Sequence, residues 1–345
     1  MKINHLDDYH CRVEKYFEQS KRNGVIRDCD VKYIGRLPGD ASTRIYYRIT
    51  TNAGQFVVCI ESAREKLHES NFVLMNKVLT SDGIRVPKIF DYDYSSGYIL
   101  QEDLGDQTLL KAFSQINDIG EEYDLLERAI DWMIKIHEID TKKYPENEFA
   151  TQFFDQEKLM SEVMFGIKHF FGNFLKHEIP NSELKIITDT FIGICQKLAE
   201  QKMVLCHRDF HSRNIMMRND SMVIIDFQDA RMGIPQYDLV SILEDCYYKV
   251  HPQNVENLKK YYWNTFLESK NLQNSYGEFD YLYCLMAIQR IFKAIGSFSF
   301  FVTQKQDYRY LKYIGFAMEK LKEFFLCDSE YNNCRKIIYS HYYEN

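Results

Sequence analysis

Between Met203 and Ile225 two short apolar runs, Val204-Leu205-Cys206 and Val223-Ile224-Ile225, flank a polar loop that opens with His207-Arg208-Asp209-Phe210-His211-Ser212-Arg213-Asn214. Runs this short and this apolar read as strands. The loop is therefore held at both ends, and the rest of the chain has to frame it. It does so in two parts. Before Gly105, Val31 to Arg36, Arg44 to Thr50 and Gln55 to Glu61 read as three consecutive antiparallel strands, with turn signals at Pro38-Gly39-Asp40 and Asn52-Ala53-Gly54. Glu65 to Thr80 has the single helical spacing of this part, and Gly97 to Glu102 is a further strand. After Gly105, helical spacing dominates: Leu125, Leu126, Ala129, Ile130, Met133 and Ile134 recur at i, i+3, i+4, as do Leu184, Ile187, Phe191 and Ile194. The sequence predicts an α+β chain in two lobes, a small antiparallel-sheet lobe over residues 1–104 and a mainly helical one over 105–345, joined by a short hinge.

Composition narrows the function. The 345 residues carry 43 Lys+Arg against 50 Asp+Glu, a formal charge of -7, without the basic excess that phosphate-backbone binding requires, so nucleic acid is not the expected partner. No apolar stretch follows Lys2, so no secretory signal is read and a cytoplasmic location is expected. No unbroken apolar run approaches the roughly 18 residues of a bilayer span, the best lying near Phe298 to Val302, so no membrane is expected as a partner. The 9 cysteines are odd in number and form no C-x-x-C pair, which fits reduced, mostly buried thiols better than a disulfide framework or a zinc site.

His207 to Asn214 fits H-R-D-x-x-x-x-N, the catalytic-loop pattern of phosphoryl transfer, and a strand ending in Asp226-Phe227 follows at the right distance. The chemistry explains the residue types. Transfer to a hydroxyl needs a carboxylate to take its proton, which suits Asp209. It also needs hard oxygen ligands for Mg²⁺ on the phosphates, which suits the Asn214 amide and the Asp226 carboxylate.

His207-x-Asp209-x-His211-x-x-Asn214 followed by Ile225-Asp226-Phe227-Gln228-Asp229 resembles the aminoglycoside phosphotransferase and choline kinase superfamily, small-molecule kinases with a protein-kinase-like fold. Gln228 in place of Gly, and the lack of an Ala-Pro-Glu motif, set the chain apart from protein kinases. A narrower resemblance runs to the bacterial anomeric sugar kinases of cell-wall recycling. It is carried by Gly39 to Arg44 with Tyr47-Arg48, Leu100 to Gly105, Cys206 to Asn214, Asp226 to Ser241, and Gln289-Arg290 with Lys293 to Phe298. That resemblance implies ATP and Mg²⁺ in an interlobe cleft and a sugar acceptor, N-acetylmuramate or N-acetylglucosamine phosphorylated at C1. An aminoglycoside or choline-type acceptor, and a catalytically dead nucleotide-binding scaffold, are the alternatives.

Each remaining candidate has two readings. Gly39, Ser42, Thr43 and Arg44 belong to the loop that the fold puts over the nucleotide phosphates, or to a plain turn. Arg44 and Arg48, four apart on a strand, are expected on one side, against phosphate or in solvent. Glu102 sits at the hinge where backbone groups bond adenine, or its side chain faces solvent. Kinases read Val-Ala-Ile-Lys where this chain has Val58-Cys59-Ile60-Glu61, so another group must replace the phosphate lysine: Arg44, Lys66 or a metal ion. His207 and Arg208 are scaffolding. His211 and Asp229 orient the loop or meet substrate, and Arg290 reaches a sugar's anionic group or a neighbouring acid. Asp238 is a candidate helix N-cap that also braces the catalytic loop. The 25 Tyr and 24 Phe are read as core packing, with an aromatic cage for a quaternary ammonium as the alternative.

Overall fold

The structure, a computed structural model, describes residues 4–38, 44–61 and 70–344. In chain order its elements are α1 (Asn4–Arg22), β1 (Val31–Arg36), β2 (Ile45–Thr51), β3 (Gly54–Ile60), α2 (Asn71–Ser81), β4 (Ile89–Asp93), β5 (Tyr98–Glu102), α3 (Leu109–Phe113), α4 (Ile119–His137), α5 (Glu148–Thr151), α6 (Gln156–Ile167) and α7 (Asn181–Ala199). There follow β6 (Val204–Cys206), β7 (Ile215–Arg218), β8 (Ser221–Ile224), β9 (Arg231–Gly233), α8 (Gln236–Leu243), α9 (Pro252–Tyr262), α10 (Tyr276–Gln304), α11 (Leu311–Phe324) and α12 (Asn332–Tyr343). They sort into two units, Met1–Gln107 with Met216–Gln228, and Thr108–Ile215 with Asp229–Asn345. The sequence reading kept 216–228 with the helical part. The β7-β8 hairpin instead groups with the first unit, because Met217 donates its N–H to the Gln107 carbonyl (2.7 Å) and Ile224 to that of Arg85 (2.9 Å).

In the first unit five antiparallel strands run in the order β1-β2-β3-β5-β4. Thr51 pairs with Gly54 around the two-residue turn Asn52-Ala53, and this sets the whole β2-β3 register through Tyr47↔Val58 to Ile45↔Ile60. Strand alternation then puts Tyr47, Ile49, Val58, Ile60 and Leu100 in one core. Helix α1, absent from the sequence reading, closes that core with Val13, Tyr16 and Phe17. Tyr9 packs against it as well, so the stripe Tyr9, Val13, Tyr16, Phe17 has helical spacing, set in an otherwise strongly polar stretch. The second helix starts at Asn71, where Ser70 Oγ accepts the Phe72 N–H at 3.2 Å. The sequence reading began it at Glu65, and residues 62–69 lie outside the described ones.

In the second unit α10 is the axis, packed against α6, α7, α8 and α11. It is the one helix among the described residues long and apolar enough to cross a bilayer by length and composition, a feature that a search for unbroken runs missed because Arg290 and Lys293 interrupt it. Of its apolar window 72% is buried inside the protein, the signature of a core helix. Helices α6 and α10 cross at two glycines: a Cβ on Gly296 would lie 2.4 Å from Gly166 Cα, a backbone atom that cannot yield.

Gly296→Ala is therefore expected to destabilise the chain by about 1–3 kcal/mol, read as a melting temperature lower by several degrees in a thermal scan. An unchanged melting temperature would show that the crossing tolerates a methyl group.

Candidate active site

The polar loop leaves β6, whose three residues pair with β9 from Val204↔Gly233 to Cys206↔Arg231. Two buried carboxylates hold it. Asp238 accepts the N–H of His207 at 2.6 Å and of Arg208 at 3.0 Å. Asp245 accepts the Ser212 N–H at 3.0 Å and also the Ser212 hydroxyl, while its other oxygen takes the Tyr247 N–H at 2.8 Å. Each buried acid is thus matched by donors, as burial of a charge demands. The N-cap role expected for Asp238 is not the one it plays: it stands in the first turn of α8, which Pro235 precedes, and its carboxylate faces the loop. The bracing role is observed. Sequence reading missed Asp245, whose one signal is an acid just beyond the apolar run of α8.

Behind Asp238 lies His137, whose Nε2 is 3.2 Å from the carboxylate and whose Nδ1 is 2.8 Å from the Tyr262 hydroxyl. Since a carboxylate only accepts, His137 donates from Nε2. Cys206 completes this buried group, with ligand-type atoms within 4.8 Å of one another. Burial pushes the Cys206 thiol well above its ordinary pKa, so it stays protonated, and the trio serves as a polar strut.

Asp209 faces cations. Lys293 Nζ lies 3.1 Å and Arg290 Nη2 3.7 Å from Asp209 Oδ1, both one turn apart on α10. Arg208, with φ +84°, adds a third charge from the loop itself. Burial alone would raise the Asp209 pKa, but Lys293, Arg208, Arg290 and His211 outweigh it and hold the carboxyl well below the usual carboxylate range. Arg290 is buried, its Nε on the Ser241 hydroxyl and its guanidinium 5.3 Å from the Tyr237 ring centre. Of its two readings, the neighbouring acid is the partner seen. Sequence reading placed Lys293 only within a resembling segment; the usable signal was its position three residues after Arg290, on the same helix face.

Asn214 turns back on the loop, its Nδ2 donating to the Asp209 carbonyl at 2.9 Å. The His211 ring lies 5.3 Å from that of Tyr247, and Tyr247 in turn touches Phe298 and Tyr313. This is an aromatic cluster that the even spread of Tyr and Phe concealed. Its cation is the chain's own: the Arg213 guanidinium stands 4.7 Å from the Tyr247 ring centre. Asp229 lies 3.5 Å from Arg208 Nη1 and is half exposed.

In the first unit, Asp226 sits at φ +63°, in the left-handed region that few side chains adopt. Gln228 Nε2 donates to Asp226 Oδ1 at 2.9 Å, and Arg44 Nη1 donates to Gln228 Oε1 at 3.0 Å. The ring of Phe227 stacks on Phe72 with centres 4.9 Å apart. Gly39, Ser42 and Thr43 lie outside the described residues.

One reading is corrected here. The Glu102 side chain does not face solvent: its carboxylate takes both 2.6 and 2.7 Å bonds from Arg85 Nη2 and pairs with Arg218 at 3.0 Å, while its N–H donates to Lys88 O at 2.8 Å. Of the two strand arginines, Arg48 is spent on Asp103 at 2.6 Å and Asp106 at 3.0 Å, fixing the turn at Gly105.

Comparison with known proteins places this arrangement. The model of the phosphotransferase enzyme family matches residues 34–266. The chain belongs to that family. This phosphotransferase, whose acceptor is an alcohol group, is 27% identical over 286 residues to the N-acetylmuramate/N-acetylglucosamine kinase of Neisseria meningitidis, covering 82% of each chain. Its fold is that of a choline kinase from Streptococcus pneumoniae (TM-score 0.59, 16% identity, 90% of this chain and 99% of that one). It also matches an ADP-bound aminoglycoside phosphotransferase (TM-score 0.57, 16% identity, 90% and 98%). The α+β, protein-kinase-like architecture read from the motifs is the one found.

Because its neighbours hold Asp209 below the ordinary carboxylate range, it is expected to stay ionised where free carboxylates titrate. The pH profile of kcat/KM should then stay flat as pH falls through about 5. Lys293→Met removes the largest of the lowering charges and should move the acid limb to higher pH. An acid limb at the same pH in both proteins would mean that Lys293 does not set the ionisation of Asp209.

Proposed function

We propose that the chain transfers the γ-phosphoryl group of ATP to the anomeric C1 hydroxyl of an N-acetyl amino sugar, N-acetylmuramate or N-acetylglucosamine, acting in the cytoplasm in cell-wall recycling. The observation that carries this reading is the sign of the charge beside the acceptor carboxylate. Lys293 and Arg290 face Asp209, a setting that attracts an anionic acceptor, tolerates a neutral one and repels a polycationic aminoglycoside. A choline-type acceptor would need an open aromatic face, and Arg213 already covers that of Tyr247. The name of the Neisseria relative supports the same substrate class.

In this reading Asp209 takes the acceptor proton. A carboxylate held this acidic is a weak base, and two features make it sufficient. An anomeric hydroxyl is more acidic than an ordinary alcohol, and the loose transition state of phosphoryl transfer asks little of the base before the bond to the leaving group has broken. Lys293 and Arg290 orient the carboxylate, and such charges would counter the negative charge that a transferred phosphoryl group spreads over three oxygens. Arg290 is also the candidate, with His211 and Asp229, for direct sugar contact. Asn214 and Asp226 would each offer an oxygen of the kind Mg²⁺ takes, the Asn214 amide turned by the Asp209 carbonyl and the Asp226 carboxylate by Gln228. When bound, Mg²⁺ would neutralise charge on the phosphates. Gly39, Ser42, Thr43 and Arg44 would cradle those phosphates.

An ADP-release assay with Mg·ATP across N-acetylmuramate, N-acetylglucosamine, glucose, choline and kanamycin, with the product read by phosphorus NMR, tests the reading. Turnover of the N-acetyl sugars to a C1 phosphate is expected. Preference for choline or kanamycin would overturn the substrate, and silence throughout would favour a nucleotide-binding scaffold. Asp209→Asn should lower kcat by about 10²–10⁴-fold with ADP affinity intact; undiminished turnover would remove Asp209 as the base.

A further inference from the structure

The strand that carries the phosphate lysine in kinases ends here in an acid, and the structure supplies what stands opposite it. Because Ile45 pairs with Ile60, the next residues outward, Arg44 and Glu61, face each other across β2 and β3. Arg44 Nε lies 3.2 Å from Glu61 Oε1, and both side chains are mostly buried. The guanidinium is also 5.2 Å from the centre of the Phe72 ring, which stacks on Phe227. From Arg44 a chain of bonds leads through Gln228 to Asp226. Four polar side chains thus converge in the order Glu61, Arg44, Gln228, Asp226, and Gln228 stands where kinases have glycine after Asp-Phe. A cross-strand ion pair needs only Glu61 and Arg44. It does not need the arginine's other arm to reach the amide that orients the Asp-Phe carboxylate.

We infer that Arg44 is the phosphate-side cation of this site, in place of the absent lysine, with Glu61 as its positioning residue and Gln228 as the link that sets Arg44 and Asp226 relative to each other. The positive charge has moved one strand over, and the acid left at the lysine position anchors it. Arg48 cannot serve, being spent on Asp103 and Asp106. A planar guanidinium presents its N–H donors in a fork whose geometry matches phosphate oxygens. The inference rests on the reading that the chain binds a nucleoside diphosphate or triphosphate, and its target is the phosphate beyond the α position.

Calorimetric titration of the whole chain with Mg·ADP and with AMP tests it. Arg44→Ala is expected to weaken ADP about tenfold or more and AMP by less than about twofold, since AMP lacks the second phosphate. Adding Glu61→Lys to that variant restores the ordinary kinase arrangement and should recover most of the ADP affinity, which a merely structural role for the ion pair would not do. Arg44→Met, which keeps the stem on the Phe72 ring, covers the case in which alanine fails to fold and should show the same ADP-specific loss. An ADP-to-AMP preference unchanged in folded Arg44→Ala or Arg44→Met overturns the assignment while leaving the nucleotide reading intact. Failure of the unaltered chain to bind ADP overturns both.

Discussion

The carboxylate of Asp209 between Lys293 and Arg290 is the contact on which the second unit is organised. It asks that a three-residue strand, an eight-residue polar loop and one turn of a long helix stay in register. The packing is arranged to that end. Gly296, one turn beyond Lys293, lets α10 lie against α6 at backbone contact, so the helix cannot shift without losing that crossing. From the other side Asp238 and Asp245 hold the loop's own N–H groups. A buried charge fixed by several donors is costly to displace, and here two such charges support a third.

The first unit follows a different economy. Its core is the ordinary one of a twisted meander with helix α1 laid over it, while its charged residues form separate clamps. Arg48 with Asp103 and Asp106 fixes the Gly105 turn, Arg85 and Arg218 fix Glu102, and Arg44 with Glu61 and Gln228 leads to Asp226. An acid where kinases have a lysine is compatible with catalysis when the residue across the strand supplies the cation.

The motifs were legible because chemistry restricts them: few residue types can take a proton or bind a hard cation, so Asp209, Asn214 and Asp226 stand out in any chain. The five-stranded order was partly legible, since turn residues and alternation mark β1 to β3 and β5. Helix α1 and strand β4 were not, the one being mostly polar outside its apolar stripe and the other being a short edge strand. What the sequence withheld most was partnership. For the Glu102 side chain, Arg48 and Asp238 the sequence left two readings open, because a task depends on which distant residue arrives opposite: Arg85, Asp103 and the N–H groups of His207 and Arg208. Lys293 and Asp245 were hidden for the same reason, lying 84 and 33 residues from their partners Asp209 and Ser212.

The central claim is that the cations beside Asp209 select the acceptor. Its most direct measurement is the ratio of kcat/KM for N-acetylmuramate, which carries a carboxylate, to that for neutral N-acetylglucosamine, compared between the unaltered chain and Lys293→Met. The account predicts that the ratio falls about tenfold or more when the charge is removed, whatever happens to the absolute rates. A ratio that stays the same would mean that the basic setting of Asp209 serves the base alone and does not choose the substrate.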